Sequence, residues 1–294
     1  MKLSCGSVLL LVVFAIRLAF AGNDMLSVSM VHRGDGFDRP ENSLEAILHC
    51  WSKGAVPEAD IWKTGDGVLV AWHDACLKGR RIGEWTWAEL RQEDIGSLKG
   101  KEWRGVRIPT WDSIFAAMKG CPERKVYMDW KDGGSISDLV ARIRSYGVER
   151  QVYCHAGNYQ LLKDWKRALP EGRCSFWTWI GSWSRIDFNA PGAVEKGEAH
   201  MRDMFSVAEN DGFAAADVLH LLIQCDFGRE DPFCPTTPFL KEAVAKVHAR
   251  GKLITAFPWG HDGENADAYR RIRDLGFDGW GTDCPAVMYS VAEE

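Results

Sequence analysis

The stretch Met30-Val-His32-Arg33-Gly34 … Pro40-Glu41-Asn42-Ser43 … Ala55-Val-Pro-Glu58-Ala-Asp60-Ile61 … Gly65-Asp66-Gly67-Val-Leu-Val-Ala-Trp72-His73-Asp74 decides how this chain is read. Residues 26–31 form a short apolar run that reads as a buried strand delivering His32 and Arg33 at its C-terminal end. Residues 55–61 read as a second strand. Side chains alternate faces along a strand, so Glu58 and Asp60, two apart, point the same way. Gly65-Asp66-Gly67 is a tight-turn signal, and residues 68–72 read as a third strand ending at His73. One rim thus receives two imidazoles, a guanidinium and two carboxylates. Two like charges on one face repel unless a proton or a cation lies between them. A hard divalent ion with oxygen ligands suits such a pair.

The order His-Arg-Gly, Glu-Asn-Ser with Ala46 three residues on, Glu-x-Asp, Thr64-x-Asp-Gly and His-Asp resembles the glycerophosphodiester phosphodiesterase family. The resemblance implies that His32 and His73 are the catalytic acid and base and that Glu58 and Asp60 bind a metal. It continues at Asp129-Trp-Lys131, where the family carries an acid-x-Lys pair, usually with Glu. There it implies Asp129 as a metal ligand and Lys131 as a phosphate contact. It closes at Gly276-Phe-Asp278-Gly279 and Thr282-Asp283-Cys-Pro285. The implied cofactor is a divalent ion, Ca2+ or Mg2+, and the implied partner is a small-molecule phosphodiester. Arg33 suits two-point hydrogen bonding to phosphate oxygens, and Lys131 acts as a point charge. Glu41 is either a further metal neighbour or a structural acceptor. His155, at a strand end, either reaches substrate or caps the strand. His49, His200, His220, His248 and His261 read as structural. The family's Trp-Thr-x-Asn segment before the last strand is replaced by Ile254-Thr-Ala-Phe257-Pro-Trp259-Gly, which puts simple glycerol in doubt as the alcohol.

Further strands are expected at residues 125–131, 151–155, 173–180, 219–224, 252–257 and 277–280, with helices at 111–118, 137–146, 159–169, 198–209, 239–250 and 264–275. Alternation of strand and helix argues for a parallel sheet with crossover helices. The fold class is α/β, a single (β/α)8 TIM barrel spanning residues 22–294, with its site on the C-terminal rim. Nine strands are expected for eight barrel positions, and residues 68–72 are the candidate for a hairpin addition. Trp177 and Trp179 alternate onto one strand face that is either core or pocket wall, where aromatics would suit a sugar or apolar alcohol group, and core packing is the reading taken.

The 294 residues suffice for one such barrel, and the formal net charge of −5 argues against a nucleic-acid partner. Residues 1–21 read as a secretory signal: Lys2, an apolar centre, then Ala19-Phe20-Ala21 as a cleavage site. Its removal leaves no membrane insertion, and the location expected is secreted or periplasmic. Export permits disulfides, and Cys225 with Cys234 is the expected pair. Two other readings fit the same barrel: a phospholipase D or sphingomyelinase D-like enzyme, and a non-catalytic protein binding a sugar or phosphate.

Overall fold

The computed structural model describes residues 23–260 and 263–294. The signal expected at residues 1–21, and His261, lie outside the described residues. Eight parallel strands form the barrel: β1 Met30–Val31, β2 Val56–Lys63, β3 Val126–Asp132, β4 Val152–Ala156, β5 Arg173–Trp179, β6 Val218–Cys225, β7 Leu253–Pro258 and β8 Gly279–Thr282. Each is followed by a helix: α1 Leu44–Ser52, α2 Trp111–Met118, α3 Ile136–Tyr146, α4 Tyr159–Ala168, α5 Ala193–Asn210, α6 Thr237–His248, α7 Ala266–Asp274 and α8 Pro285–Ala292. β1 closes the ring, since Met30 pairs with Gly281 on one side and Val56 on the other. The expected (β/α)8 barrel is the observed fold.

The expected third strand is the hairpin addition. Leu69–Ala71 runs antiparallel to β2, with Ile61 opposite Ala71 and Lys63 opposite Leu69. The turn closes through Gly67 N–H to Thr64 O at 2.9 Å, with Gly67 at φ +88°. Period-two alternation makes this strand a shared wall. Leu69 and Ala71 join the main core, while Val70 and Trp72 join a second cluster with Leu77, Ile82, Leu90, Ile95 and Ile108. The polar stretch after His73 therefore folds as a small lobe with its own apolar centre.

Local chemistry starts the helices. Ser43, Thr110, Asn158 and Asn265 each accept a backbone N–H of the first turn of the helix that follows. α5 begins five residues earlier than expected. Gly197, Met201, Phe205 and Ala208 form its buried stripe, a spacing legible as helical but interrupted by charges. β1 is shorter than expected, because Asn23–Leu26 is helical and Ser29 Oγ donates to Met25 O at 2.8 Å. β8 starts two residues later than expected, at Gly279.

Cys225 and Cys234 are both free and buried, which corrects the expected disulfide. Phe233 lies opposite Cys225 and Cys234 opposite Gln224. Residues opposite one another share a face, so the two sulfurs leave opposite faces of the pair.

Trp111 is the largest fully buried side chain on α2, and its Nε1–H donates to Asp60 O at 3.2 Å. Trp111→Ala is expected to cost about 3–5 kcal/mol of stability. Denaturant unfolding measures this, and a loss under about 1 kcal/mol would mean the barrel–helix seam relaxes around the cavity.

Candidate active site

Strand register assembles the site. In the parallel β2–β3 pair, Asp60 lies beside Asp129, and Glu58 sits one inward-facing position earlier on β2. One carboxylate oxygen from each of Glu58, Asp60 and Asp129 lies within 4.8 Å of the other two. Glu58 and Asp60 are 2% and 1% exposed. Lys131, two residues after Asp129 on the same face, places Nζ 2.6 Å from Asp129 and 3.2 Å from Asp60. Those carboxylates raise the Lys131 pKa against the opposing effect of its burial. Three carboxylates against one ammonium leave two negative charges in a buried place. Burial first, then the charge of Asp60, pushes the Glu58 carboxyl up to about 8. An all-oxygen donor set that gathers three carboxyl groups in a buried place fits a divalent cation, and these three residues could hold one.

Asn42 orders the cluster. Its Nδ2–H donates to Asp60 Oδ2 at 2.8 Å, and its Oδ1 accepts Asp60 N–H at 2.9 Å. Asn42 does so from φ +56°, a conformation that asparagine tolerates. Ser43, not Asn42, is the helix cap. Arg33 sits at φ +52° just past β1, donating its backbone N–H to Glu58 Oε2 and Nη1–H to Glu41 Oε2, both at 2.8 Å. Glu41 thus touches Arg33 and lines an adjoining cleft with Trp72 and Asp74.

His32 Nδ1 lies 2.6 Å from Asp283 Oδ1, across the seam between β1 and β8. Burial disfavours the imidazolium, but the Asp283 hydrogen bond and the charge of Glu58 outweigh it and raise its pKa to about 9. His73 follows the hairpin strand. Its Nδ1 lies 2.8 Å from Asp74 Oδ1, and its carbonyl accepts Trp62 Nε1–H at 3.1 Å.

His32, Arg33, Glu58, His73, Asp129, Lys131 and His155 line one cavity of about 400 Å3 at the C-terminal ends of the strands. Asp60 lies directly behind Glu58 and Asp129 in the same cluster. His155 is buried and bonded through Nδ1 to Ser175 Oγ at 3.0 Å; burial, aided by His32 and Lys131, lowers its pKa to about 3.

Sequence reasoning missed four groups. Asp283 was quoted only as part of a closing motif, yet it holds His32. Glu264 Oε2 accepts from Tyr269 Oη, Thr282 Oγ1, Asp283 N and Cys284 N, at 2.7, 2.7, 2.8 and 3.0 Å, and so fixes the Asp283 turn. His220, read as structural, lines the cavity. Trp177, read as core, also lines it, with Trp183 and Trp259. Trp179 stacks on Trp183 at 4.1 Å, and Trp183 is 55% exposed at the mouth. The displaced aromatics of β7 also reach the site, with Phe257 and Trp259 edge-on to His32 at 6.0 and 5.7 Å.

Comparison with known proteins follows the same outline. Residues 32–287 match the model of the glycerophosphoryl diester phosphodiesterase family. A glycerophosphodiester phosphodiesterase of Caldanaerobacter subterraneus subsp. tengcongensis is 31% identical over 157 residues, 50% of this chain. The matched region spans 64% of that relative's length. A glycerophosphodiester phosphodiesterase from Agrobacterium tumefaciens superposes with a TM-score of 0.64 at 18% identity, covering 90% of this chain and 99% of that one. An Oleispira antarctica phosphodiesterase, solved with the product sn-glycerol-3-phosphate, gives 0.63 at 20% identity, covering 90% and 96%. These two likenesses speak for the barrel, and the family match spans nearly all of it. With its motifs on one rim of that barrel, the chain belongs to the glycerophosphoryl diester phosphodiesterase family.

Proposed function

We propose that the protein hydrolyses a glycerophosphodiester to an alcohol and glycerol 3-phosphate, with His32 and His73 doing the proton work. The observation that carries this reading is the convergence of both imidazoles, Arg33, Lys131 and the three carboxylates on one cavity. A phosphodiester has one negative charge and a poor alkoxide leaving group. It needs positive charge at its oxygens and a proton for the leaving oxygen. Arg33 and Lys131 supply fixed positive charge. Asp283 orients the His32 ring by holding Nδ1, leaving Nε2 for the reacting oxygens. His73 serves as the second proton carrier, so that one imidazole takes a proton from the nucleophile and the other gives one to the leaving group. A divalent ion on Glu58, Asp60 and Asp129, Ca2+ or Mg2+, supplies Lewis-acid polarisation of a non-bridging oxygen when bound. The secretory reading of residues 1–21 makes the working location extracytoplasmic. Among the described residues no helix is long and apolar enough to cross a membrane.

The test is an assay of the purified protein on glycerophosphocholine beside bis(p-nitrophenyl) phosphate, with glycerol 3-phosphate measured directly. Release of glycerol 3-phosphate is expected. Turnover of the chromogenic ester alone would keep the chemistry and reject this alcohol, and no turnover of either would reject the reading.

A further inference from the structure

Of the two cavity-lining imidazoles that the chemistry above leaves without a task, His155 and His220, only His220 carries a buried ring nitrogen without a partner among the described residues. It interrupts the apolar run of β6, between Leu219 and Leu221, and is 1% exposed. Register puts it between Trp177 of β5 and Thr255 of β7. Its Nδ1 is engaged 2.7 Å from Thr255 Oγ1. Its Nε2 is buried with no hydrogen-bond partner. A buried polar atom left unmet costs about 1–3 kcal/mol, so its retention calls for a ligand that meets it.

The surroundings define that ligand. Burial, then the neighbouring His155 and His32, hold the His220 pKa well below 6.5, so the ring is neutral. A neutral ring is a poor anchor for a phosphate beside Arg33 and Lys131, and these already supply the cations. The Leu219 carbonyl lies 3.5 Å from Thr255 Oγ1 and offers that hydroxyl an acceptor. Thr255 is then free to accept from His220 Nδ1–H, making Nε2 an acceptor. A hydroxyl both donates and accepts, so it would satisfy Nε2 in either tautomer. The ring is also fixed in place. A Cβ on Gly281 would come within 2.6 Å of His220 Cε1, so the glycine leaves the ring just the room it uses. Phe257 lies 6.0 Å from the His32 ring and 6.1 Å from the His220 ring, so the two imidazoles flank one aromatic side chain.

We propose that His220 determines specificity: its Nε2 hydrogen-bonds a free hydroxyl on the phosphate-bearing group, selecting polyol phosphates over simple alkyl phosphates. Thr255 acts through His220 as a positioning residue. This rests on the phosphodiesterase reading only in taking the cavity as the place where the phosphate binds.

Calorimetric binding of glycerol 3-phosphate and n-propyl phosphate to the metal-loaded protein tests it without turnover. The wild type is expected to prefer glycerol 3-phosphate by about 10- to 100-fold, the range for a buried hydrogen bond met or left unmet. In His220→Phe the ratio is expected to fall to near one, and in His220→Gln to recover in part. Thr255→Val, a smaller change at the supporting hydroxyl, is expected to lower the ratio severalfold and guards against misfolding of the first variant. No preference in the wild type, or a preference kept in a folded His220→Phe, overturns the proposal. If glycerophosphocholine is still turned over in that case, the function stands and only the role of His220 fails. Binding of neither compound overturns both.

Discussion

Replacing His32 with alanine is expected to lower kcat by about 10²- to 10⁴-fold, the range for loss of a general acid or base. The barrel should persist. His32 lies beyond the last paired residue of β1, and its side chain packs on Phe257 and Trp259 at the site rather than in the main core. Thermal unfolding of the variant separates the two effects. An active His32→Ala protein would remove His32 from the chemistry. A companion variant, Asp283→Asn, reports how the ring is held. The Asp283 hydrogen bond is the largest of the influences raising the His32 pKa to about 9, and Asn also removes the Asp283 charge, so the variant lowers that pKa. The pH at which the imidazolium gives up its proton then moves downward. An NMR titration of the His32 ring reads this, and an unmoved midpoint would show that Glu58 alone sets it.

The second large effect concerns the three carboxylates. Chelator-stripped protein is expected to be inactive, and added Ca2+ or Mg2+ to restore turnover. An ion that binds only the folded chain stabilises it by about 2.7 kcal/mol at a hundred times Kd. For a barrel of this size that is about 5 °C in Tm. Binding should also release protons. Burial and the charge of Asp60 make the Glu58 carboxyl hold its proton more tightly in the metal-free site, and a cation displaces that proton. A weakly buffered titration should therefore show net proton release on binding. Asp60→Asn should blunt both signals. A flat Tm and no proton release would mean that Lys131 alone balances the cluster.

The barrel was legible because its signals are local. Glu58 and Asp60 share a face by simple alternation, and the turn at Thr64–Gly67 announces the hairpin before His73. Each of these lies within a few residues of the pattern that reveals it. The missed groups depend on closure and register. His32 and Asp283 are 251 residues apart and meet only because β1 zips to β8. Glu264 reads as the start of a helix until the Thr282–Cys284 turn folds back over it. His220 sits in a run of apolar residues where a lone histidine is most often structural, and only the Trp177–His220–Thr255 row brings it to the cavity. The Cys225–Cys234 pairing failed for the same reason, since proximity in a loop says nothing of which face each sulfur takes.

The shared wall at Leu69–Ala71 has a mechanical meaning. His32 is mounted on the seam that closes the barrel, while His73 is carried by an outrigger with a separate apolar ballast. The two imidazoles thus rest on different apolar clusters, joined where the His73 carbonyl accepts Trp62 Nε1–H from β2. Packing changes inside the outrigger fall on the mounting of His73, whereas the carboxylate cradle is carried by β2 and β3.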